Sequence, residues 1–169
     1  APVMTYTPDD LQMTNNTVSS DLPLAPTVSG SGAVVSWSIS PSLPSGLAFN
    51  TADGTISGTP TELLSRTMFT ITGTNTGGSA IAYVNITIVD EVPTVSYTPD
   101  DLSLTKNTAS SDLPLSPTLT GSGAFVSWTI SPDLPAGLAF DSSTGVISVT
   151  ATELLARTMF TINATNTGG

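Results

Sequence analysis

The chain contains neither cysteine nor histidine. The first absence excludes a disulfide framework and a thiolate metal site. The second removes the commonest general base and the commonest metal ligand. Cations are nearly missing: Arg66, Lys106 and Arg157 stand against thirteen acids, for a formal charge of −10. A nucleic-acid footprint needs a basic face, which three scattered cations do not make. An anionic membrane surface would repel such a chain. No apolar run has the length of a bilayer span, so no membrane insertion is expected of this segment. No signal peptide is visible, and residue 1 is expected to begin a mature or excised segment. Charged residues of both signs make up only 9% of the chain, and serine and threonine supply much of the polarity instead. That composition is common in secreted and cell-surface β-proteins.

What is present is a repeat. A shift of 91 residues lays the chain on itself without a gap: Tyr6 on Tyr97, Trp37 on Trp128, Phe49 on Phe140, Arg66 on Arg157 and Asn75 on Asn166. About two-thirds of the paired positions are identical. The copies divide as residues 1–91 and 92–169, and the second reaches only the counterpart of Gly78. Its final strand, the counterpart of Ser79 to Glu91, is therefore expected to be missing. Truncation of a longer repeat array is the simpler explanation. Strand donation by a neighbouring subunit, building a filament, is the sharper one.

Within each copy the punctuation is that of short strands. Val3 to Tyr6 starts a strand that Pro8-Asp9-Asp10 breaks, and Leu11 to Met13 can resume pairing. Leu22 to Val28, with Pro23 and Pro26, suits a sheet edge. Val35, Trp37 and Ile39 alternate with Val34, Ser36 and Ser38. The first set recurs unchanged as Val126, Trp128 and Ile130 and is assigned to the core. Leu43-Pro44 and Gly46 make a corner before Leu47-Ala48-Phe49, and Asp53-Gly54 closes a hairpin onto Thr55-Ile56-Ser57. Thr61 to Ser65 has room for one helical turn. Thr67, Phe69 and Ile71 then share one face of a strand, and Ala82, Val84, Ile86 and Ile88 one face of the longest strand. Seven or so short strands at this spacing indicate an all-β Greek-key sandwich in each copy, with no competing helical pattern. Asp90-Glu91-Val92-Pro93 is a short junction without glycine, which predicts domains set end to end with limited bending.

The stretch LPSGLAFNTADGTISGTP, residues 43 to 60, and its second copy from Leu134 to Ala151 resemble the signature of immunoglobulin-like repeats of microbial surface proteins. The resemblance extends over both copies, including the TxTNTGG turn of residues 72–78. It implies two tandem immunoglobulin-like sandwiches, the second without its last strand. Such modules recur in adhesins, surface coats and filaments. The second copy departs from the pattern where Gly58 and Pro60 become Val149 and Ala151, a change expected to loosen one turn and spare the fold. Cadherin modules share the sandwich but carry calcium-binding acidic motifs at their junctions.

Candidate sites are few. Asp90 and Glu91 at the junction, with Asp100 or Asp101, could contribute carboxylates to calcium; ordinary turn chemistry on a solvated end is the competing explanation. No other cofactor is implied. Trp37 and Trp128 could stack on sugars, but their phase in the strand places them in the core. Tyr6, Tyr83 and Tyr97 are expected to be partly exposed. Glu62 with Arg66, and Glu153 with Arg157, stand four apart and would form surface ion pairs. Asn15, Asn85 and Asn163 head glycosylation sequons, the last two on outward strand faces. A compact sandwich offers no cleft for paired carboxylates, and no serine–histidine pair or phosphate loop is present, so an enzyme is not expected. The expected role is a structural or adhesive segment of an extracellular, cell-surface protein, forming part of a rod, stalk or filament beside neighbouring repeats. A glycan- or protein-binding adhesion module, stiffened by calcium at the junction, is the alternative.

Overall fold

A computed structural model describes every residue except Val126, whose assignment to the core therefore lies outside the described residues. The described residues form fourteen strands and no helix, divided into two compact units, residues 1–90 and 91–169.

The first unit is a sandwich. One layer is a four-stranded sheet in the order β2-β8-β7-β4, built from β2 (Asp10–Thr14), β4 (Ser36–Ser40), β7 (Leu64–Asn75) and β8 (Gly78–Val89). The other layer holds β1 (Pro2–Thr5) paired with β3 (Thr27–Gly30), and the hairpin of β5 (Leu47–Phe49) with β6 (Ile56–Gly58). A bridge between Leu24 and Ile56 links those two pairs. Side chains that alternate along each strand meet between the layers: Leu11 and Met13, Phe69 and Ile71, Val84, Ile86 and Ile88 are all buried, with Trp37, Met4 and Tyr6 against them. Period-two reading thus located the inner faces of β7 and β8.

Three local expectations need correction. Val35 is 72% exposed, whereas Val34 packs on the core beside Gly73. Regular pairing starts only at Ser36, so the alternation cannot be carried back to residue 35. In the second unit Phe125, the counterpart of Val34, likewise lies against Trp128, with ring centroids 6.4 Å apart. Residues 61–65 form no helical turn; β7 begins at Leu64 and passes through a bulge before Thr67. Residues 22–28 are not one strand, because the prolines reduce the segment to a single bridge at Leu24 before β3.

The second unit keeps the same plan with fewer strands. β9 (Thr94–Tyr97) pairs with β10 (Pro117–Thr120), β11 (Ser127–Ser131) with β14 (Thr161–Thr165), and β12 (Leu138–Phe140) with β13 (Ile147–Val149). Leu115 bridges to Ile147 as Leu24 does to Ile56. The counterparts of β2 and of the first half of β7 carry no strand. The β12–β13 hairpin retains the register of β5–β6 although Val149 replaces Gly58. Val149 takes φ 80°, a left-handed conformation that a β-branched side chain adopts only under strain. Val149→Gly is expected to stabilise the second unit by about 1 kcal/mol. The reverse change, Gly58→Val, should destabilise the first by more, because a Cβ there would lie 2.2 Å from the Gly46 carbonyl oxygen. Thermal melts of the two variants check both signs.

Candidate functional site

Each unit is pinned across its layers by one tyrosine, one glycine and one tryptophan. The turn Asn50–Gly54 is closed by the Gly54 amide donating to the Asn50 carbonyl at 2.8 Å and by Asn50 Nδ2 donating to Asp53 at 2.9 Å. It sets Gly54 flat on the Trp37 indole, where a Cβ would fall 2.6 Å from a ring carbon. The buried carbonyl of Gly54 then accepts the Tyr6 hydroxyl at 2.6 Å. Tyr97, Gly145 and Trp128 repeat the arrangement with the same 2.6 Å bond. Tyr6 is accordingly 4% exposed rather than partly exposed as the sequence suggested, since its hydroxyl has an internal partner. Tyr97 is half-buried and only Tyr83 stands well out. The two tryptophans are buried, as their phase required.

The acidic residues do not converge. Among the described residues no group of three or more metal-ligating side chains lies together. Asp90 is buried, Glu91 and Asp100 are exposed, and Asp101 receives Arg157 at 3.0 Å. Asp10 receives Arg66 in the same way at 2.8 Å. The expected Glu62–Arg66 and Glu153–Arg157 pairs are thus replaced. Residues four apart are neighbours on a helix, but an extended chain separates them by roughly 13 Å. Glu62 instead accepts the Ser45 amide, which holds its carboxyl below the usual range, and Glu153 accepts that of Ala136.

Of the sequon asparagines, Asn163 is exposed on β14, Asn85 is half-buried on β8, and Asn15 has its Oδ1 buried. The sequence treated Asn75 as a simple turn residue, yet it is buried and structural. Its Nδ2 donates to the carbonyls of Ser31 and Gly32, and its Oδ1 accepts the Gly77 amide, tying the β3–β4 turn to the β7–β8 turn. Asn166 does the same with Ser122, Glu91 and Gly168. The identity of TNTGG in both copies was the available signal.

Two surfaces remain as candidates. On the outer face of β7–β8, Met68, Ile81 and Tyr83 are each more than half exposed and adjoin through the strand register. In the second unit a groove of about 940 Å³ opens where the first unit holds β8. Leu102, Leu104, Phe160 and Ile162 line it and are only half-buried, whereas their counterparts Leu11, Met13, Phe69 and Ile71 are wholly buried.

This architecture, two like sandwiches with a tyrosine and tryptophan locked on one glycine turn, defines an immunoglobulin-type repeat protein. The chain belongs to the family described as Putative Ig domain, whose model matches residues 1–89 and again 92–169. It is similar to the Serine-rich adhesin for platelets of Staphylococcus aureus strain MRSA252, 33% identical over 132 residues, covering 75% of this chain and 9% of that protein. The chain spans less than a tenth of the length of the curated relatives it matches. Among solved structures it is similar to domains EC1-2 of human protocadherin-24, with TM-score 0.43 at 10% identity, covering 96% of this chain and 92% of that one. Protocadherin gamma B2 domains 1-5 match with TM-score 0.44 at 14% identity, over 96% of this chain and 36% of that one.

Burial raises the Tyr6 hydroxyl well above its ordinary value near 10, with the Asp53 charge adding to the effect. The unfolded chain gives up this proton first as pH rises, so the associated stability is full below about pH 10 and is lost above it. Tyr6→Phe is expected to lower stability at neutral pH by about 1–3 kcal/mol and to flatten the alkaline decline. Denaturant titrations at pH 7 and pH 11 measure both effects.

Proposed function

We propose that the chain is a non-catalytic, adhesive segment of an extracellular cell-surface protein, in which tandem sandwiches set distance as part of a rod or stalk. The observation that carries this reading is the duplication itself: one family module, complete with its own pinning triad, twice in 169 residues. Similarity to a bacterial adhesin favours the cell surface. Among the described residues no helix is long and apolar enough to cross a membrane. Sparse charge and a net −10 suit a spacer that avoids nucleic acid and anionic lipid. Its partners on this reading are neighbouring repeats of the same protein. A second role, as a glycan- or protein-binding module, draws support from the Met68–Ile81–Tyr83 patch.

Small-angle scattering of the monomeric chain tests the spacer. A twelve-residue strand spans about 40 Å, so two units end to end should give a maximum dimension near 80 Å. A value close to a single unit would contradict the rod. Calcium and chelator should give the same curve and the same melt. A calcium-dependent rise in melting temperature would instead make Asp90, Glu91, Asp100 and Asp101 a metal site.

A further inference from the structure

We propose that the free edge of β4 is a contact surface for a second copy of the chain, the two β4 strands pairing antiparallel about a two-fold axis through Ser38. The sheet of the first unit, ordered β2-β8-β7-β4, has two unlike edges. Its β2 edge carries Asp10, with Asp9 just before it and Arg66 held across to Asp10. Charges placed in this way keep a further strand from adding to a sheet. The β4 edge has no such guard. Ser36, Ser38 and Ser40 are its exposed side chains, and its five residues pair with β7 in one register without proline or bulge. Among the described residues β4 has no partner on its other side. Such an edge offers a row of backbone N–H and C=O groups to another strand.

Charge selects the occupant. No charged residue stands between Asp21 and Asp53, nor between Arg66 and Asp90, in a chain of net charge −10. Strands β3, β4, β5 and β8, and β7 beyond Arg66, are therefore neutral. Asp53, in the turn packed on Trp37, has its carboxylate bonded to Asn50 and to the Thr55 amide. Two such acidic chains repel one another on most approaches, and the β4 edge lets them meet without opposing like charges. The edge also matches itself. Antiparallel pairing about Ser38 sets Ser36 against Ser40 and Trp37 against Ile39, twice over, as an isologous contact requires. The same register brings Val35, which is 72% exposed, against the exposed Pro41 of the second copy, closing each end on an apolar contact. Strand β11 has a similar edge, but Asp133 follows it where Ser42 follows β4, and a pair would carry a like charge at each end. One five-residue ladder buries less surface than a stable dimer needs, so the contact is weak in solution. It gains strength where chains lie side by side on one surface.

Sedimentation equilibrium of the whole chain at physiological salt tests this. The chain should be monomeric at about 10 μM and dimerise reversibly with a dissociation constant of roughly 0.1–1 mM. Ser38→Lys and Ser38→Glu should each weaken association at least about tenfold, because like charges then face each other on the axis. An equimolar mixture of the two variants should associate again, to within about threefold of the parent, with Lys opposite Glu. The melting temperature of each variant should stay within about 2 °C of the parent, since the Ser38 side chain is exposed. Thr129→Lys, the same change in β11, should leave association unaltered. A chain still monomeric at about 2 mM would overturn the proposal. So would a dimer that survives Ser38→Lys, a mixture that stays monomeric, or a dimer lost on Thr129→Lys. None of these results touches the spacer reading, which the scattering dimension of the dilute monomer decides separately.

Discussion

Strand β8 is hydrogen-bonded on both sides, to β7 and to β2, and it presents Val84, Ile86 and Ile88 to the core with almost no exposure. Burying three such side chains is worth roughly 5–9 kcal/mol as an upper figure. That is comparable to the whole stability of a domain this size. The strand therefore does more than close an edge. It decides whether residues 10–14 form a strand at all, since β2 has no other partner in its sheet.

The second unit is the internal control. Two-thirds of its sequence is the same, and the features that do not depend on β8 persist: the β12–β13 hairpin, the Tyr97–Gly145 bond, the asparagine-capped turn and the Leu115–Ile147 bridge. Only the segments that touch β8 change. Residues 101–105 lose strand pairing, and ladder structure in the β7 counterpart shrinks to Thr161–Thr165. The triad and the hairpin thus set the architecture, and β8 completes it.

Much of this was legible in the sequence. A 91-residue repeat, proline- and glycine-marked turns and period-two strands give the sandwich and its inner faces, because those signals are local and repeated. The misses have a common cause in tertiary geometry. The spacing of Glu62 and Arg66 looks like a helical pair until Arg66 is found across the sheet from Asp10. Tyr6 looks half-exposed until a glycine carbonyl 48 residues later takes its hydroxyl. Val34 and Val35 cannot be ranked without knowing where pairing begins. Asn75 reads as a turn residue because its partners, Ser31 and Gly32, are distant in sequence. The acidic pairs were the most chemical feature of the chain, and the structure distributes them to an ion pair, a buried position and solvent.

The central claim is that a β8-type strand separates a completed sandwich from an open one. Native-state hydrogen exchange on the intact chain measures this directly, since each amide of the first unit has its counterpart in the second. The account predicts strong protection at Leu11, Met13, Thr67 and Phe69 and rapid exchange at Leu102, Leu104, Thr158 and Phe160. Equal protection in the two units would show that the walls of the groove are ordered without the strand, and would contradict the account.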